Sequence, residues 1–103
     1  MTGVQYIPLR SDAKERTGTF LLKMAPGSTY PPHRHPGGEE LMVLKGEMSV
    51  SGQGMKVGDF LFAPPGSIHE VTSETGCMFL SILPEPLEII GSKTPREFDE
   101  IPS

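Results

Sequence analysis

The chain is 103 residues long, 36% hydrophobic and 21% charged, with 9 basic residues against 13 acidic ones and a net charge of −4. A chain of this length has room for one core, burying about two thirds of the surface its unfolded form exposes, so residues 1–103 are expected to form a single domain. The acidic balance and the lack of any basic run argue against nucleic acid or an anionic membrane as partner, and no segment approaches the ~20 apolar residues that cross a bilayer.

The first twenty residues carry Gln5, Pro8, Arg10, Asp12, Lys14 and Arg16, where a secretory segment would need an unbroken apolar stretch. Cys77 is the only cysteine and cannot close an internal disulfide, so a reducing, cytoplasmic setting is the expectation. Twelve glycines and eleven prolines suit short strands joined by tight turns better than a helical bundle.

Residues around Val4 to Leu9 read as an N-terminal strand. Then Thr19 to Met24 (TFLLKM), Leu41 to Lys45 (LMVLK), Met48 to Ser51 (MSVS), Phe60 to Ala63 (FLFA), His69 to Ser73 (HEVTS) and Cys77 to Leu83 (CMFLSIL) alternate as half-buried strands do. Turn signals fall between them at Ala25-Pro26-Gly27-Ser28, Gly52-Gln53-Gly54, Gly58-Asp59, Pro64-Pro65-Gly66 and Glu74-Thr75-Gly76. Two Pro-Gly pairs fit type II turns, in which proline fixes φ and glycine accepts a positive φ. Turns at this spacing predict an all-β sandwich or barrel. Tyr30, Phe60, Phe62, Phe79, Met24, Met42, Met48 and Met55 fall at strand spacing and are expected mostly in the core, with two or three of them lining the mouth of a site.

Leu41 and Val43 share one strand face, while Met42 and Leu44 share the other. One buried face cannot satisfy both. Either the N-terminal strand or a second copy of the chain covers the outer row, and a homodimer is the expectation. After Leu83 the composition shifts. Residues 84–103 hold four of the eleven prolines and lean acidic, with Leu87, Ile89, Ile90 and Phe98 as apolar anchors. They read as an extended tail docked on the body or on a partner.

All three histidines, His33, His35 and His69, sit close to a Pro/Gly turn and a strand end. In an extended segment His33 and His35 face the same side, so both rings can converge on one point, and Arg34 faces away towards solvent or a salt bridge. A carboxylate from Glu39 or Glu40, reached across Pro36-Gly37-Gly38, would complete a mixed nitrogen and oxygen set of the kind that binds Fe, Mn, Ni, Cu or Zn. Cys77 reads as a small buried apolar residue, since no histidine is left to activate it.

Here the residues resemble a known pattern. Gly27-(five residues)-His33-Arg34-His35-(three residues)-Glu39-(six residues)-Gly46 is similar to the first cupin motif, over 27–46. Gly58-(five residues)-Pro64-Pro65-Gly66-(two residues)-His69 is similar to the second, over 58–73. Ser73 stands where the second motif usually carries Asn. The resemblance implies an antiparallel double-stranded β-helix, the cupin jelly-roll barrel. It also implies one divalent metal, with iron or zinc favoured, held by His33, His35, Glu39 and His69; it selects Glu39 because only Glu39 leaves six residues before Gly46. Resemblance to small dioxygenase cupins implies an Fe-type dioxygenase acting on a small oxygen-rich or aromatic substrate, with catalytic residues beyond the metal ligands unassigned. HRHPGGEE also resembles the cupin domain of ChrR-type anti-sigma factors, which implies a non-catalytic sensing module with zinc. A metal-dependent isomerase or lyase is the third possibility.

Overall fold

The computed structural model describes residues 3–12 and 14–90. Among them are nine strands and no helix: β1 (Val4–Asp12), β2 (Thr17–Met24), β3 (Ser28–His35), β4 (Glu39–Val50), β5 (Gln53–Lys56), β6 (Phe60–Ala63), β7 (Ser67–Ser73), β8 (Cys77–Leu83) and β9 (Glu88–Ile89). They pair antiparallel in the order β1-β2-β8-β4-β7-β3-β9, with β5 and β6 also pairing with β4. This is the expected all-β cupin jelly roll. No helix among the described residues is long and apolar enough to cross a membrane.

Strand β4 turns the corner between the two halves of the curled sheet. Its first half pairs with β6 and β8, and its second half, from Glu47 to Val50, pairs with β5 and β7. The bend lies at the irregularity between Val43 and Lys45 and at Gly46, whose φ is +75°. A Cβ on Gly46 would lie 2.2 Å from the Gly76 carbonyl oxygen, so the strand can pass here only as glycine. The two strands expected at Leu41 to Lys45 and Met48 to Ser51 are therefore one strand; the glycine that reads as a break in sequence is a bend within a continuous ladder.

The stretch Gly52-Gln53-Gly54 is likewise not all turn. Val50 pairs with Gln53, leaving Ser51 and Gly52, both at positive φ, as a two-residue hairpin loop whose twist matches the flanking strands. The two Pro-Gly turns close as expected: the Ser28 amide donates to the Ala25 carbonyl and the Ser67 amide to the Pro64 carbonyl, with Gly27 and Gly66 at positive φ. Strand β7 begins at Ser67, two residues before His69.

The inner face gathers Phe20, Leu22, Met24, Leu41, Val43, Val71 and Phe79 into one core, to which Tyr30, Met48, Met55 and Cys77 also belong. Met42, Phe60 and Phe62 do not join it; they lie on the outer face, 39%, 54% and 59% exposed. Their alternation was sound, but the face they share is not covered. Strand β1 extends the sheet at the edge of β2 and leaves the outer row of Met42 and Leu44 exposed. Of the tail, Leu87 and Ile89 pack against the core and β9 pairs with β3, while Ile90 is exposed. Arg34 faces outward and pairs with Glu88, its Nε donating to Oε1 at 2.9 Å. Phe98 lies outside the described residues.

Candidate metal centre and its cavity

In strand β3 Tyr30 points inward, and strict alternation would then turn His33 outward. Pro31 and Pro32 prevent this. Lacking N–H donors, they break the ladder to β7, and the register shifts between Tyr30 and His33, so that Tyr30, His33 and His35 are all buried. His33 comes to lie directly opposite His69 across the β3–β7 pair. The His35 carbonyl accepts the amides of Gly38 at 3.0 Å and Gly66 at 2.7 Å, tying the first Pro/Gly turn to the second. Glu39 then opens β4 on the inner face, while Glu40 is exposed on the other.

Three ring pairs bring the histidines together, with centroids 4.6 Å apart for His33 and His35, 5.1 Å for His33 and His69, and 4.2 Å for His35 and His69. Their nitrogen donors lie within 4.8 Å of one another, in a buried group that could hold a metal ion. Glu39 Oε1 lies 3.1 Å from His35 Nε2 and 3.4 Å from His69 Nε2, and the two nitrogens are 3.1 Å apart. All four residues expected from the sequence thus share one place.

Neighbouring groups fix these side chains. The Pro31 carbonyl, 2.7 Å from His33 Nδ1, can only accept, so Nδ1 carries the proton and Nε2 keeps its lone pair. Ser81 donates its hydroxyl to Glu39 Oε2 at 2.5 Å. Burial lowers the pKa of His33 to about 4, so the ring is neutral at pH 7. Burial alone would raise the Glu39 carboxyl, but the hydrogen bonds from His35, His69 and Ser81 bring it down to about 2, and the carboxylate is ionised. Burial, followed by the charge of Glu39, raises the Tyr30 phenol well above its usual value, so its oxygen keeps its proton.

A cavity of about 110 Å³ opens beside the group. Phe20, Leu22, Leu41, Phe79 and Leu83 form its apolar walls. His33, Glu39, Tyr30 and Ser81 give it a polar region, and Arg16 also lines it. Of the aromatic and methionine residues expected in the core, Tyr30 and Phe79 reach this lining. Sequence reasoning missed Ser81 and Arg16. Ser81 is the one hydroxyl within an otherwise apolar inward row, Cys77, Phe79, Ser81 and Leu83, and that interruption was the available signal. Ser73, in place of the motif's Asn, donates to the Glu47 carbonyl and accepts the Gly76 amide, bracing the β7–β8 turn. Cys77 is buried, and burial raises its thiol pKa, as befits an inert core residue.

Comparison with known proteins bears on the family and the fold. The ChrR cupin-like domain family matches residues 1–84. A DNA damage-repair/toleration protein of Arabidopsis thaliana, DRT102, is 34% identical over 64 residues, covering 56% of this chain. That match spans 21% of the plant protein's length. An acetylacetone dioxygenase from Acinetobacter johnsonii superposes with a TM-score of 0.73 at 24% identity, covering 87% of this chain and 65% of its own. The polyketide cyclase RemF from Streptomyces resistomycificus superposes with a TM-score of 0.71 at 21% identity, covering 89% and 74%. At these identities the two structures share a fold with this chain, and their differing names show that the fold does not choose the reaction.

Proposed function

The chain belongs to the ChrR cupin-like domain family, and on that premise we propose that His33, His35, Glu39 and His69 together hold one divalent transition-metal ion against which a small organic ligand docks from the apolar cavity. One observation carries this reading. The separations of 3.1, 3.1 and 3.4 Å among His35 Nε2, His69 Nε2 and Glu39 Oε1 match the edges of a coordination polyhedron. Bonds of about 2.1 Å give edges of about 3.0 Å in an octahedron and about 3.4 Å in a tetrahedron. An ionised carboxylate at Glu39 and a neutral ring at His33 are also the protonation states that a metal requires.

We read the site as that of an Fe-type dioxygenase acting on a small oxygen-rich or aromatic substrate. When bound, the ion supplies Lewis acidity and, as iron(II), one-electron chemistry with O₂. The chain's own residues do the rest. Ser81 and the Pro31 carbonyl orient Glu39 and His33, as the outer partners of metal ligands do. Phe20, Leu22 and Phe79 exclude water from a substrate beside His33 and Glu39. Tyr30 lines the same cavity, where burial and then the charge of Glu39 keep its phenol protonated.

The test is O₂ uptake by iron-loaded protein across a panel of β-diketones, flavonols and thiols. Uptake with one class supports the dioxygenase reading, and none across the panel contradicts it. The family match favours a second reading, a zinc-holding sensing module. A metal-dependent isomerase or lyase is the third, and product formed without O₂ would single it out. A reducing, cytoplasmic setting is part of the proposal, since the single cysteine has no partner within the chain.

The same proposal includes a homodimer. Cross-strand registers place Ile7, Leu21, Leu80, Met42 and Phe60 in one row across the outer face, flanked by Ile82 and Phe62. Ile7, Met42, Phe60, Phe62 and Ile82 are between 37% and 59% exposed, and contiguous apolar side chains of this kind mark an interaction surface. A second copy stacked face to face about a two-fold axis covers the row with its own image.

A further inference from the structure

Among the described residues that line the cavity, Arg16 is the only lysine or arginine. It sits in the loop between β1 and β2, where Asp12 Oδ1 accepts the amides of Lys14 and Glu15 and fixes the backbone. Its own φ is +56°, a left-handed conformation that Gly or Asn fills without penalty and that a long side chain seldom adopts. Among the described residues no carboxylate pairs with it, in a chain where acids outnumber bases 13 to 9. A permanent cation is thus held at an unfavourable backbone position beside an apolar chamber, and strain of this kind collects at ligand sites.

Register gives the distance that a ligand must bridge. Gly18 pairs with Leu83 of β8, and Glu40 pairs with Ile82, so Glu39 and Gly18 flank β8 at the same level of the barrel. Two strand spacings, about 10 Å, separate those columns, and Arg16 lies two residues beyond Gly18, at the rim. From there its guanidinium presents a planar donor fork suited to a carboxylate.

We infer that Arg16 recognises an anionic head group, and that the ligand of this cavity is a short organic acid whose carboxylate binds Arg16 while its apolar body lies between Phe20, Phe79 and Leu83 and its far end reaches His33 and Glu39. The inference rests on the reading of the histidine end as a metal centre and adds the substrate class to it. A cavity of about 110 Å³ suits a body of roughly benzene size, since an apolar cavity of ~150 Å³ takes up benzene.

The test is calorimetric titration of zinc-loaded protein with hexanoate and, separately, with hexan-1-ol, using wild type, Arg16→Asn and Arg16→Lys. Asn suits the left-handed position, so Arg16→Asn folds with an unchanged or higher Tm, and any loss of binding is not a loss of fold. The expected result is hexanoate affinity lowered at least ~10-fold in Arg16→Asn and partly restored in Arg16→Lys, with hexan-1-ol binding alike to all three. Hexanoate bound equally by wild type and Arg16→Asn, or by neither, overturns the inference. Metal content of the same samples separates the two failures: equal hexanoate binding at full zinc occupancy refutes Arg16 alone, whereas wild type unable to retain zinc refutes the metal reading.

Discussion

Removing the Ser81 hydroxyl leaves Glu39 Oε2 buried without its donor. The 2.5 Å hydrogen bond between them lies in a site where Ser81 is 1% and Glu39 6% exposed, so no solvent molecule takes the hydroxyl's place without rearrangement. A hydrogen bond to a charged group contributes about 1.5–3 kcal/mol, and an unsatisfied buried acceptor costs a similar amount. In a domain of this size ~2 kcal/mol corresponds to a fall in Tm of about 8–16 °C. Ser81→Ala should show that fall in metal-free protein. It should also weaken metal binding about 10- to 100-fold, the effect that the outer partners of metal ligands have on affinity. Differential scanning fluorimetry and competition against a chromogenic chelator measure the two quantities. Ser73→Ala is the control, because Ser73 braces the β7–β8 turn through Glu47 and Gly76 and touches none of the four site residues. It should lose stability and keep metal affinity. A Ser81→Ala variant with wild-type Tm and wild-type affinity would refute the claim that this hydroxyl holds Glu39 in place.

Acidification should unfold the metal-free protein through His33 first. Its folded pKa of about 4 lies below the unfolded 6.5, so the unfolded chain binds more protons; stability is full above pH 6.5 and falls by about 3 kcal/mol as the pH drops through 4. Glu39, held at about 2 against an unfolded 4.5, adds a further loss as the pH falls below 4.5, and a Tm that stays flat from pH 7 to 4 would contradict both signs. Phe60→Glu, at an exposed outer-face position, should leave the fold intact and convert the dimer to a monomer in light scattering after size exclusion; a wild type that is already monomeric contradicts the dimer. Gly46→Ala should destabilise by more than ~2 kcal/mol in urea titration, because its Cβ meets the Gly76 carbonyl oxygen at 2.2 Å and φ is positive, and a neutral result would mean that the β4 bend is not rigid.

Much of the fold and of the site was legible because the residues that carry it are local. Period-two alternation located β2, β6 and β8, and the Pro-Gly pairs located their turns, since both signals arise within a few residues of backbone. The three histidines stood out by their placement beside Pro/Gly turns, the full set with Glu39 came from the resemblance to the cupin motifs, and the fold brings the four side chains together. What escaped depends on partners distant in sequence. Gly46 reads as a break until Gly76 is seen crossing behind it. Met42, Phe60 and Phe62 alternate as core residues do, and only the position of β1 at the sheet edge shows their face to be open. The shift at Pro31-Pro32 that turns both Tyr30 and His33 inward cannot be read from alternation, because it breaks alternation. Ser81 and Arg16 look like an ordinary strand serine and loop arginine until the cavity is visible.

Metal content is the most direct measure of whether the four side chains act as one site. Protein purified without added metal should carry close to one transition-metal ion per chain by elemental analysis, and His69→Ala, equally folded by circular dichroism, should carry at most about a tenth of that. Undiminished occupancy in His69→Ala would contradict the metal centre at its root.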